Sequence, residues 1–214
     1  MSVKGKRVLI TGSSHGIGAA TAIAFAKEGC SIGLNYNRNP EGAEAAAEKI
    51  RELGAPVEIY KADVGLSGDC EAMVSAFIQR FGGIDVLINN AGGALKIPRG
   101  EFIDMPVQYW NDQINLNLNA AAYTSRIAVR NMIENKVRGK IINVSSIHSL
   151  VTWVKRKMLP YCAGKAGLNM FTKALACEVA KYGINVNCIA PGFIMTKLSA
   201  RYSEADMNAF LRKI

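Results

Sequence analysis

Two side chains four residues apart, Tyr161 and Lys165, carry the most direct chemical potential in this sequence. On a helix that spacing puts both on one face. A phenol titrates near about 10 and is a poor base at neutral pH, yet a neighbouring ammonium favours the phenolate, which takes a proton from an alcohol or returns it to a carbonyl. Such pairs arise by chance on many helices, so the surroundings decide their weight. The stretch before the pair ends in Asn143, Val144, Ser145 and Ser146. A serine hydroxyl there, Ser146 in preference to Ser145, would hydrogen-bond the substrate oxygen and the alkoxide developing on it.

The second constellation is Gly12, Ser14, His15, Gly16, Ile17 and Gly18, in a stretch beginning at Thr11 that follows an apolar run and precedes the Ala-rich segment 19–28. Glycines at a strand-to-helix turn let the backbone approach a pyrophosphate, whose charge is favoured by the exposed N–H groups of the helix start. The alternative is a plain tight turn. The spacing is GxxxGxG and not GxGxxG, and the second apolar run ends in Asn35, Tyr36, Asn37 and Arg38, with no acid to hold a ribose 2′-hydroxyl. Arg38, assisted by His15, would instead pair with a 2′-phosphate, which favours NADP(H) and leaves NAD(H) possible. If Arg38 is only an exposed loop cation, both cofactors stay open.

Asp63, followed by Val64, is placed to meet an adenine edge; otherwise it caps a helix beginning near Ser67. Asn89, Asn90, Ala91 and Gly92 would let the cofactor lie close to the main chain. An oxidised nicotinamide beside Tyr161 would join Lys165 in favouring the phenolate while hydride passes to or from the ring.

These residues need a scaffold that brings loop after loop to one edge. Short β-rich runs at 7–10, 31–36, 57–61, 85–89, 140–144 and 185–189 alternate with longer helix-like segments. Gly29, Gly54, Gly82 and Gly183 stand where helices end. The succession predicts an α/β fold: a doubly wound, Rossmann-like parallel sheet with helices on both faces and ligands at the carboxyl ends of the strands. No linker or repeat divides the chain, so 1–214 is expected as one dinucleotide-binding catalytic domain.

Taken in order, TGxxxGIG from Thr11, NNAG from Asn89, Ser146 at a strand end, YxxxK from Tyr161 and the turn Pro191, Gly192 make the sequence resemble the short-chain dehydrogenase/reductase family from Lys4 to about Lys197. The resemblance implies an oxidoreductase acting on CH–OH groups, with Tyr161 and Lys165 both catalytic and in contact with the cofactor. It implies a further active-site residue at Asn117, flanked by Asn115 and Asn119, holding a water that links the lysine to solvent. It also implies that the cofactor-binding loop beginning at Pro191 and Gly192 holds the nicotinamide amide through Ile194 and the pyrophosphate through Thr196.

The same resemblance implies a homodimer or homotetramer built through the helices at 107–134 and 161–182, with Ala163, Gly164, Ala166 and Gly167 permitting close packing. Family members continue past the equivalent of Ile214 with a helix and a last strand, which have no counterpart here; the run 184–189 would then be a sheet edge needing cover. The tail from Ser203 begins like a capped amphipathic helix, a candidate lid.

Composition narrows the rest. With 214 residues, 50% hydrophobic and 20% charged, the chain has the makeup of a soluble globular protein. Its apolar stretches are too short for a membrane helix and its start lacks a secretory pattern, so a cytoplasmic location is expected. Five cysteines without a CxxC pair signal neither a disulfide framework nor a metal site. The net charge of +9 comes from basic residues interleaved with acids, which does not read as a nucleic-acid surface.

The basic cluster Lys155, Arg156, Lys157 is a solvated loop or a docking patch for an anionic substrate or carrier. Three functions follow. The first is reduction of a 3-oxoacyl group on an acidic carrier, suited by that cluster, although Tyr182 stands where such reductases often carry a basic residue. The second is oxidation of a sugar or polyol, hinted at by His148 and Trp153, whose placement is similar to that in bacterial glucose dehydrogenases. The third is a catalytically silent nucleotide-binding regulator or scaffold.

Overall fold

The computed structural model describes residues 2–95, 101–151 and 158–196. Trp153, the cluster Lys155, Arg156 and Lys157, Lys197 and the tail from Ser203 lie outside the described residues.

Six strands form one parallel sheet: β1 (Arg7–Ile10), β2 (Ser31–Tyr36), β3 (Val57–Lys61), β4 (Val86–Asn89), β5 (Lys140–Val144) and β6 (Asn185–Ile189), in the order β3-β2-β1-β4-β5-β6. The central strands β1 and β4 read as unbroken apolar runs because both of their faces are covered. Val8 and Ile10 face a core made with Ala22, Ala47 and Ile50, from α1 (Gly16–Lys27) and α2 (Pro40–Glu52). Leu9 and Leu87 face the opposite core with Phe77 and Met132, from α3 (Ser67–Phe81) and α5 (Ala120–Glu134). The order reverses between β1 and β4, whose ends pair at Ile10 and Ile88, so the two following loops diverge and open a crevice there. This is the doubly wound architecture expected. Among the described residues β6 pairs only with β5, and no helix is long and apolar enough to cross a membrane.

Three details differ from the sequence reading. The fourth strand starts at Val86; Asp85 before it still bonds Arg7 and Lys140 through its main chain, and its carboxylate accepts from Arg7 Nε at 2.6 Å and the Arg7 main-chain N–H at 3.0 Å. The expected helix at 107–134 is α4 (Val107–Ile114), a π turn (Asn115–Asn119) and α5, the extra residue of the π turn letting Asn117 reach the main chain of Gly93. The last long helix, α6 (Leu159–Val179), begins before Tyr161 and passes into a 3-10 turn (Ala180–Tyr182) that Gly183 closes with φ 73°.

Of the four small residues on α6, only Ala163 and Ala166 are exposed. Gly164 and Gly167 face inward, where a Cβ would lie 3.0 Å from the Cβ of Asn117 and from Cδ2 of Leu118 respectively. They let α6 close on the π turn within the same chain.

Candidate active site

The glycine turn is built from both neighbouring strands. Gly12 has φ 61°, and its N–H donates to Asn35 Oδ1 at 3.0 Å while the Asn35 amide binds carbonyls of Tyr36, Tyr60 and Ala62. Thr11 Oγ1 accepts the N–H groups of Asn90 and Ala91 at 3.0 Å each. The Asn90 amide donates to the carbonyls of Thr11 and Gly12, both at 2.9 Å. Asn90 thus shapes the turn from behind through its side chain.

Helix α1 starts at Gly16, so Gly16, Ile17 and Gly18 form its first turn, whose N–H groups have no intrahelical acceptor. Ser14 is buried, and its Oγ lies 3.1 Å from Nδ1 of the exposed His15. A Cβ on Gly18 would fall 2.5 Å from Asn90 Nδ2 and 2.6 Å from the Gly12 carbonyl oxygen. Gly18→Ala is therefore expected to cost about 1–3 kcal/mol, read as a thermal unfolding midpoint lowered by about 2–10 °C.

A cleft of about 560 Å³ runs along this first turn, lined by Gly16, Ile17, Ala20 and Thr21 on one side and by Ile194, Met195 and Thr196 on the other. Thr196 comes within 3.6 Å of where a Gly16 Cβ would sit. A backbone open at glycine, a helix start with free donors and an adjoining cleft fit a pyrophosphate-bearing dinucleotide.

The flanking residues divide. Arg38 is exposed at the end of β2 and forms no ion pair among the described residues. Beside it, Asn37 Nδ2 donates to Asp63 Oδ2 at 2.8 Å, and Asp63 Oδ1 accepts the Gly65 N–H at 2.9 Å. Asp63 therefore closes a turn of its own and does not cap α3, whose N-cap is Leu66. The Val64 side chain lies in the core, leaving only its main chain for a ligand.

At the other end of the crevice α6 and β5 bring the reactive side chains together. Ser145 Oγ donates to the Lys165 carbonyl at 3.1 Å, whereas Ser146, the next residue on an extended backbone, points the other way, toward the Tyr161 side chain. The Ser146 Oγ also accepts the His148 N–H at 3.2 Å, and the His148 ring stands edge-on to Tyr161 at 6.2 Å.

Lys165 is 3% exposed and its Nζ donates to the Val144 carbonyl at 2.7 Å. Gly92 is the floor beneath it: a Cβ there would lie 2.8 Å from Lys165 Nζ and 3.0 Å from Asn117 Oδ1. Asn117 is buried, with Oδ1 accepting the Gly93 N–H at 2.9 Å and Nδ2 donating to the carbonyls of Gly93 and Gln113 at 3.1 and 3.0 Å. Its amide donors are engaged by the chain, which leaves its second oxygen lone pair and its main chain to hold a water.

Burial governs the electrostatics of the pair in the cofactor-free chain. Burial raises the Tyr161 pKa above its ordinary value, and the Ser146 hydrogen bond only opposes this. Burial likewise lowers the Lys165 pKa to about 8, with Cys188 a smaller opposing influence. Both groups are pushed toward their neutral forms.

Sequence reasoning missed Thr11, Asn35 and Gln113. Polar residues inside otherwise buried runs were the available signal, for such groups persist in a core only when hydrogen-bonded.

The sequence matches the short chain dehydrogenase family over residues 6–207. It is 36% identical over 213 residues to 3beta-hydroxysteroid dehydrogenase 1 of Eggerthella lenta, covering 99% of this chain and 80% of that protein. It is 33% identical over 195 residues to glucose 1-dehydrogenase 2 of Bacillus subtilis, covering 90% of this chain and 73% of that protein. The structure superposes with a TM-score of 0.87 on a Burkholderia cenocepacia short chain dehydrogenase in complex with NADP, at 30% identity over 97% of this chain and 82% of that one.

Proposed function

This chain belongs to the short chain dehydrogenase family, and from that premise we propose that it interconverts a secondary alcohol and its ketone, using NADP(H) in preference to NAD(H), with Tyr161 as the acid and base. The observation that carries this reading is the placement of Ser146 next to Tyr161 and beside buried Lys165, at the strand edge that also holds the glycine turn.

When bound, the nicotinamide cofactor supplies or accepts the hydride. Gly12, Ser14, His15, Gly16, Ile17 and Gly18 would hold its pyrophosphate with Thr196, Asn90, Ala91 and Gly92 would line its path, and Asn37, Asp63 and Val64 would border the adenine. The loop beginning at Pro191 and Gly192 would hold the nicotinamide amide through Ile194. Ser146 Oγ donates to the substrate oxygen, and Tyr161 Oη gives that oxygen a proton in reduction or takes it in oxidation. Lys165, with Asn117 behind it, returns the proton toward solvent.

Because Tyr161 is held neutral, reduction has its acid ready at pH 7, whereas oxidation needs the phenolate. Alcohol oxidation is accordingly expected to quicken as pH rises through 7 to 9, measured as kcat/KM against pH.

The relatives favour a ring-borne hydroxyl, as on a steroid or a sugar. A 3-oxoacyl group on an acidic carrier is the second reading, favoured by the net charge of +9. A panel of a 3β-hydroxysteroid and D-glucose with NADP+, and an acetoacetyl thioester with NADPH, separates them by nicotinamide absorbance. Turnover of none of the three would overturn the proposal and favour a silent nucleotide-binding scaffold.

Arg38→Glu tests the cofactor reading. Placing a carboxylate beside the 2′-phosphate is expected to weaken NADPH binding about 10- to 100-fold and leave NADH within about threefold, followed by nicotinamide fluorescence. Equal losses for both would remove Arg38 from the recognition. Oligomerisation through α4, α5 and α6 belongs to the same proposal and is checked by sedimentation.

A further inference from the structure

We infer that Asn169 is a positioning residue that locks the turn carrying Ser146 onto the helix carrying Tyr161 and Lys165. The inference rests on the reading of Ser146 and Tyr161 as the groups that meet the substrate oxygen.

Asn169 lies four residues beyond Lys165 and eight beyond Tyr161, so α6 presents all three along one face. Its Nδ2 donates to Ser149 Oγ at 2.7 Å, and Ser149 Oγ donates in turn to the main-chain oxygen of Ser146 at 2.6 Å. The other end of the amide is engaged as well, since the Cys188 thiol on β6 donates to Asn169 Oδ1 at 3.3 Å. A side chain with a donor at one end and an acceptor at the other is what this place requires, and the thiol sets which way the amide is turned.

The turn Ile147–Ser149 also packs on α6 where the His148 ring stands edge-on to Tyr161, so the Asn169 amide adds a directional tether to that packing. Within it, Ser149 N–H donates to the Ser146 oxygen and His148 N–H to Ser146 Oγ; the tether from Ile147 N–H runs to Pro191 and not to α6. Ser145 is tied to the Lys165 carbonyl one residue earlier. Losing Asn169 would leave the strand end and the His148 packing in place but remove the hydrogen-bonded tether that fixes the orientation of the Ser146 main chain. Hydroxyl placement is sensitive to such freedom, because donors aimed at a developing charge act only when held in advance. The Ser146 hydrogen bond is also the contact that restrains the rise in the Tyr161 pKa, so a loosened turn would let that pKa climb further.

The test compares Asn169→Ala, Ser149→Ala and the double variant in two measurements. The first, on cofactor-free protein, is amide hydrogen exchange over 145–151, expected to be about tenfold faster in each single variant and no faster in the double. The second is oxidation of a 3β-hydroxysteroid with NADP+ against pH. Here kcat is expected to fall about tenfold with KM within about twofold, and the acidic limb to move up by about half a pH unit.

Unchanged exchange in either single variant, additive effects in the double, or an active enzyme whose kcat and pH limb do not move would overturn the assignment. A wild type that turns over nothing would instead count against the proposed function, and the exchange measurement would still decide the tether.

Discussion

In a Tyr161→Phe variant, turnover is expected to fall by about 10²- to 10⁴-fold, with NADPH affinity and the thermal unfolding midpoint unchanged within about twofold and about 2 °C. The substitution removes one oxygen. It keeps the ring that stands edge-on to His148, so the packing around α6 survives. What is lost is the proton that must pass to or from the substrate oxygen while hydride moves, a demand made only in the transition state. A silent scaffold predicts no change in any property. An enzyme that uses a water or His148 as its acid predicts a loss of less than about tenfold, and that outcome would remove Tyr161 from its role.

Lys165→Met is the second large effect, and its two arms point in opposite directions. Turnover is expected to drop by about 10²-fold or more, while the cofactor-free protein becomes more stable at pH 7. The lysine is buried and its pKa is lowered from 10.5 to about 8, so keeping it charged at neutral pH costs the folded state about 3 kcal/mol. Methionine fills similar space without that cost but forfeits the Nζ bond to the Val144 carbonyl, offsetting about 1 kcal/mol.

The sign follows from proton counts. Below pH 8 folded and unfolded chains both hold the proton and the penalty is full. Between pH 8 and 10.5 the unfolded chain binds more protons than the folded one, so wild-type stability from this group rises with pH, and above 10.5 the penalty is gone. The stability advantage of Lys165→Met should be largest at pH 7 and fade toward pH 10, measured by denaturant unfolding at each pH. A variant less stable than wild type at pH 7 would mean that the lysine is not held at a cost.

The expected order of elements needed no tertiary information. Five of the six strands carry the bounds read from the pattern of short β-rich runs and glycines; the central β1 stands out as an apolar run covered on both faces, whereas the edge strands β3 and β6 mix polar and apolar residues and are marked by the turns around them. The exception is the fourth strand, which starts at Val86, one residue after the bound read from the run. The π turn was not legible in the sequence: Asn115, Asn117 and Asn119 recur at equal spacing, the resemblance points to Asn117, and the approach of Gly93 and Gly164 makes it the inward one.

The sequence by itself determined the class of fold, the place of the glycine turn at the start of α1 and the presence of Tyr161 and Lys165 on one helical face, since each depends on local spacing and backbone chemistry. Tertiary structure decided which groups meet. It set Ser146 against Tyr161 while Ser145 turned to the Lys165 carbonyl, and it drew Asn35, Thr11 and Asn90 together to shape Gly12. It also decided protonation: burial pushes Tyr161 up and Lys165 down, because the cost of a charge depends on how much water the packed chain excludes from it.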